Sequence, residues 1–95
     1  MNNTFEYETD NNSIAVPNEL LRAGLSAKAV GLYIQIADIL STGGRISASV
    51  VADGVTDGIT GVESGLRELE EAGWLSRTKK KDSKGHFYSV YELKK

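Results

Sequence analysis

"GITGVESGLRELEEAGWL", running from Gly58 to Leu75, decides how this chain is read. Ile59, Val62, Leu66 and Leu69 recur at steps of three and four residues, which puts them on one apolar stripe of an α-helix. Gly73 closes the stripe, and glycine is the residue that most easily ends a helix in a left-handed conformation. Trp74 and Leu75 then open a segment rich in strand formers. The head of the helix is less regular: it carries Gly58, Gly61 and Glu63, and no positive charge.

Toward the C-terminus, "WLSRTKKK" (Trp74–Lys81), "DSKG" (Asp82–Gly85) and "HFYSVYEL" (His86–Leu93) read as strand, turn and strand. One face of this hairpin is expected to pack Trp74, Phe87 and Tyr91, or their neighbours, into the core. Toward the N-terminus, the chain turns around Thr56-Asp57-Gly58. Before that turn lies "ASVVADGV", a third helix that Ser47 can cap and that faces Val50 and Val51 inward. "RIS" (Arg45–Ser47) allows a strand of three residues at most, and "STGG" (Ser41–Gly44) ends the helix before it. That second helix, "LSAKAVGLYIQIADIL", is the clearest element. Ser26 is its N-cap, and Ala29, Leu32, Tyr33, Ile36, Ile39 and Leu40 form its apolar stripe. "PNELLRAG" predicts a short first helix with Pro17 in its first turn and Gly24 at its end. "SIAV" (Ser13–Val16) and "FEYET" (Phe5–Thr9) read as short strands around the turn residues Asp10–Asn12. The order is β-β-α-α-(β)-α-α-β-β, with no internal repeat. It predicts one α+β domain over residues 1–95, with a strand or arm at 1–13 and the core at 14–93.

The chain has 95 residues, 40% hydrophobic and 25% charged, an ordinary balance for one small globular domain. It has no cysteine, which excludes a disulfide framework and a thiolate metal site and suits a reducing cytoplasm. "MNNTFEYETD" lacks the basic and apolar regions of a secretory signal. The longest mostly apolar run, Ala29 to Leu40, is interrupted by Gln35 and Asp38 and is too short to span a bilayer, so no membrane partner is expected. His86 is the only histidine and cannot build a zinc site alone. Glu6 and Glu8 share one strand face and with Asp10 could hold a cation weakly, but they read as a solvated strand. No nucleophile–base set and no phosphate-cradling glycine loop is present, and the glycines of "GGRIS" make only a turn. No enzymatic activity, cofactor or metal is expected.

The net charge of −2 hides an uneven distribution. Residues 1–20 hold four acids and no base, whereas residues 74–95 hold seven bases and two acids, a local net of +5. A basic end on an acidic chain can make a nucleic-acid footprint.

Helices joined by a tight turn and followed by a β-hairpin follow the winged helix-turn-helix order. The pieces "VPNELL", "LSAKAVGLY" and "LRELEEAGWL" with a basic hairpin behind them resemble the bacterial winged-helix domains of phage and plasmid replication-initiator or replisome-organizer proteins and related helix-turn-helix regulators. The resemblance covers roughly Ile14 to Leu93. It implies a winged helix with three main helices, a short N-terminal helix and a C-terminal hairpin wing. It also implies double-stranded DNA as partner, in transcription regulation or replication initiation, with the fourth helix entering the major groove by its N-terminal half. That half offers Thr60, Gly61 and Ser64, with Arg67 a turn further on. Short side chains permit close approach, and hydroxyls bond to base edges or phosphates. The wing offers Arg77, Lys79, Lys80, Lys81, Lys84 and His86 to the phosphate backbone.

Glu63 departs from that pattern, because such domains often carry a base there. Thr60-Gly61-Val62-Glu63 fits a capping box that would start the helix at Thr60; the alternatives are a cap at Thr56 or Asp57, or a glutamate that accepts from a cytosine. Glu68, Glu70 and Glu71 read as a solvated face. The acidic bulk, Glu63 and a pI near 5.3 motivate a second reading, a winged helix that contacts protein and not DNA. A second copy or another protein stays open as a further partner, and the 95 residues could be the DNA-binding part of a longer chain.

Overall fold

In the computed structural model, which describes residues 14–43 and 46–94, four helices precede one antiparallel hairpin. They are α1 (Asn18–Leu21), α2 (Ala27–Ser41), α3 (Ala48–Asp53) and α4 (Gly58–Glu71), followed by β1 (Leu75–Lys81) and β2 (Phe87–Leu93). The expected strand Phe5–Thr9 and turn Asp10–Asn12 lie outside the described residues.

Local chemistry sets the helix ends. Pro17 stands at the N-cap of α1 with φ −63° and an extended ψ, and Gly24 turns the chain with φ +75°. The Ser26 hydroxyl caps α2 by accepting from the Ala29 N–H at 3.1 Å. Ser47 does the same for α3, accepting from the Val50 N–H at 3.2 Å. At the end of α4 the Trp74 N–H donates to the Leu69 carbonyl and the Gly73 N–H to the Glu70 carbonyl. With Gly73 at φ +84°, this is the Schellman closure that satisfies the last carbonyls and aims the chain into β1.

The core lies where α4 packs on α2 and α3 and where the base of the hairpin closes over them. Leu20 from α1, Leu32, Tyr33 and Ile36 from α2, Val51 from α3, and Val62, Leu66 and Leu69 from α4 are buried together. Trp74, Leu75 and Tyr91 complete the cluster, and the Trp74 ring meets Tyr33 edge-on at 6.1 Å. Burial pushes the Tyr33 hydroxyl pKa above its ordinary value. The hairpin runs in register from Leu75 opposite Leu93 to Lys81 opposite Phe87. Asp82 builds its turn, accepting from the N–H groups of Lys84 and His86 at 2.9 and 2.8 Å, with Gly85 at φ +84°.

Several expected positions differ. Ile14–Val16 form no strand; Val16 packs on the core and Pro17 turns directly into α1. Ile46 and Ser47 form no strand either, since Ser47 serves as the cap of α3. Val50 is exposed while Val51 is buried, because adjacent helical residues point about 100° apart and a six-residue helix presents one side. Ile59 is in phase with the buried stripe yet 48% exposed, as the first turn of α4 runs off the end of the core. Ile39 is half-buried and Leu40 exposed at the corresponding end of α2. Phe87 is 64% exposed, paired with Lys81 near the hairpin tip. No helix among the described residues is long and apolar enough to cross a membrane.

Candidate nucleic-acid interface

Viewed down its axis at about 100° per residue, α4 has two bonded flanks beside its buried stripe. Gly65 and Glu68 face α2. The Glu68 carboxylate accepts from the Ser26 N–H and from the Ser26 hydroxyl, each at 2.7 Å. Those bonds, the backbone one first, hold the Glu68 carboxyl below its ordinary pKa. Glu63 and Glu70 face the hairpin. Arg77 on β1 donates through Nη1 to Glu63 Oε1 at 3.1 Å and through Nη2 to Glu70 Oε1 at 2.6 Å. Tyr91, opposite Arg77 in the register, lies with its ring centroid 5.8 Å from the guanidinium. The Glu70 bond raises the Arg77 pKa, desolvation opposes it, and the group stays a cation throughout the accessible range.

Between these flanks an outward face remains. Thr60, Ser64 and Arg67 are exposed on it and line a shallow trough with Ile59 and Glu63. Gly61 is half-buried beside them; a Cβ there would lie 3.1 Å from Asp57 Cβ, a tight contact that a shift of a few tenths of an ångström would relieve. Lys28 of α2 reaches this region and donates from Nζ to Ser64 Oγ at 3.3 Å. The outward face carries hydroxyls and one guanidinium, all able to bond to bases or phosphates.

The hairpin divides its cations. Strand alternation puts Leu75, Arg77, Lys79 and Lys81 on one face and Ser76, Thr78 and Lys80 on the other. Lys79 and Lys81 hold their ammonium groups 4.8 and 5.7 Å from the Phe87 ring, which is how an exposed aromatic sits among cations. Lys80 stands opposite Tyr88. Lys84 and His86 flank the turn, exposed, with His86 Nδ1 3.7 Å from Asp82 Oδ2. Eight of the ten residues singled out from sequence are therefore exposed; Gly61 and Arg77 are half-buried, and the Arg77 side chain is shared between two glutamates.

The glutamates differ from their sequence reading. α4 starts at Gly58, which has φ +74°, and Asp57 at its N-cap makes no side-chain cap bond. The capping box at Thr60 and Glu63 is not formed: Thr60 lies inside α4, and Glu63 is bonded to Arg77. Glu68 and Glu70 are bonded side chains and not a solvated face, whereas Glu71 is exposed. Sequence reasoning passes over Lys28, and it reads Ser26 only as a helix cap; they lie 36 and 42 positions from their partners on α4. A signal for the Arg77 pair does exist: Glu63 and Glu70, two turns apart, share a helix face, and Arg77 shares the parity of the inward Leu75.

A second surface feature lies between the end of α2, the start of α3 and β2. Leu40, Val50, Phe87, Tyr88 and Val90 are exposed around one groove there. No protein-family model matches the chain, and no curated protein matches it.

Proposed function

We propose that the chain is a winged helix-turn-helix domain that binds double-stranded DNA in transcription regulation or replication initiation. α4 is the helix that enters the major groove, and the hairpin is the wing that follows the phosphate backbone. One observation carries the reading. Both flanks of α4 are bonded, to α2 and to β1, while Thr60, Ser64 and Arg67 between them stay exposed, next to a hairpin with exposed Lys79, Lys80, Lys81 and Lys84. A groove-reading helix needs this arrangement: rigid support, a slim outward face, and cations nearby to neutralise phosphates. The overall negative charge is compatible with it, because Glu63, Glu68 and Glu70 on α4 already accept hydrogen bonds within the protein.

A second reading, a winged helix that binds protein, is favoured by the exposed apolar side chains around the β2 groove, since such patches mark interaction surfaces. Titration of a labelled random-sequence duplex over a range of salt concentrations separates the two. DNA binding through the wing lysines and Arg67 gives log affinity falling linearly with log salt, with a slope between about −3 and −5. Absence of binding to any duplex at low salt removes the first reading in favour of the second.

A further inference from the structure

We infer that Arg77 is a positioning residue of this surface: held between Glu63 and Glu70, it fixes the hairpin against α4 and keeps Glu63 from capturing Arg67. The inference rests on the DNA-binding reading above. Glu63 and Arg67 are four residues apart on α4, with the acid on the N-terminal side, which is the better orientation for an ion pair along a helix. They line the same trough. Glu63 nonetheless bonds Arg77 at 3.1 Å, and among the described residues Arg67 makes no ion pair. The competition goes to Arg77 for physical reasons. Its guanidinium fork serves two carboxylates at once, one nitrogen to each, which a lysine ammonium does less well. It is also shielded beside the buried Tyr91, so its bonds are less screened than any Arg67 could make on the open face. The result is an outward arginine that keeps its full charge for a phosphate or a guanine.

Arg77 also joins the two parts of the surface. Glu63 and Glu70 stand two turns apart on α4, and a single side chain of β1 spans them. A hairpin tied at two points along the helix cannot pivot freely about Gly73. The angle between wing and helix, and so the spacing between groove and backbone contacts, is set before DNA arrives; such pre-organisation lowers the ordering cost of binding.

The test uses Arg77→Met, Arg77→Lys, Glu63→Gln and the double variant Glu63→Gln/Arg77→Met in the full chain. Residual dipolar couplings measured without DNA report the hairpin's orientation relative to α4, and duplex affinity with its salt slope reports the surface. In Arg77→Met the hairpin couplings should shrink and stop fitting the alignment of α4. Affinity should fall roughly fivefold, the effect of one unit charge about 4 Å away in water, and the salt slope should fall by about one as Glu63 takes Arg67. Adding Glu63→Gln should restore the slope and most of the affinity, which it could not do if Arg77 itself touched phosphate. Should Arg77→Met fail to fold, Arg77→Lys carries the test in the same direction with a smaller change, and Glu63→Gln alone should leave affinity unchanged or higher. Wild-type hairpin couplings in Arg77→Met, or a double variant no better than the single one, overturn the inference. A wild-type protein that binds no duplex sinks the DNA reading itself, and the couplings then decide whether Arg77 fixes the hairpin.

Discussion

Gly65 sits on the flank of α4 that faces α2, and a Cβ there would overlap Leu32 Cδ1 and lie 3.3 Å from Lys28 Cγ. Leu32 is buried and cannot swing aside without opening the core. Gly65→Ala would gain about 1 kcal/mol of helix propensity but overpack this crossing, which typically costs about 1–3 kcal/mol. Gly31, on the exposed side of α2, has nothing within 4 Å of the same added carbon. Thermal melts should therefore diverge, with Gly31→Ala melting higher than wild type and Gly65→Ala lower. Equal gains at both sites would mean that the two helices do not approach this closely.

Glu68 gives a pH signature. Its folded pKa lies below the ordinary value because Ser26 donates two hydrogen bonds to the carboxylate. For a depressed acid the stabilisation is fully present above the unfolded pKa, near about 4.3, and is lost as pH falls through the lower folded value. Melting temperature should drop on acidification below about pH 5, and less steeply in Glu68→Gln. Parallel acid limbs for the two proteins would show that this carboxylate does not bridge α4 and α2. Such a residue is hard to read from sequence, because its partner lies 42 positions away and no periodicity links them. The buried residues Val62, Leu66 and Leu69 are legible by contrast, since burial on a helix repeats with the helix period. Arg77 falls between these cases. Strand alternation from Leu75 marks it as inward, but its membership in the basic run "RTKKK" groups it with the exposed lysines.

Among the elements, helix ends and the hairpin are the most legible, because single residues decide them. Ser26, Ser47 and Gly73 each act as their residue type suggests, and Asp82 and Gly85 make the turn. Least legible are the short strands before α1 and α3, where β-branched residues suggest pairing but the chain is used for a helix cap. Within the hairpin, Lys79, Lys80 and Lys81 are exposed and outside the core, so replacing all three with alanine should leave the melting temperature within a few degrees of wild type. Affinity for specific and random duplexes should fall by similar factors, and the salt slope by about one for each lost phosphate contact. A loss confined to a specific site would show that the hairpin reads bases.

For the whole molecule, the distribution of charge matters more than its sum. The net charge of −2 coexists with a C-terminal region of +5, and three acids of α4 are occupied within the fold. Among the described residues two surfaces stand exposed: the outward face of α4 with the basic hairpin, and the apolar groove bordered by Leu40, Val50 and Val90. Amide chemical-shift mapping with a short random-sequence duplex at low salt separates them in one measurement. Binding as proposed gives shifts at Thr60, Ser64, Arg67 and from Lys79 through His86, while Leu40, Val50 and Val90 stay still. Shifts confined to that apolar groove, or no shifts at any residue, would contradict a DNA-binding role for α4 and the hairpin.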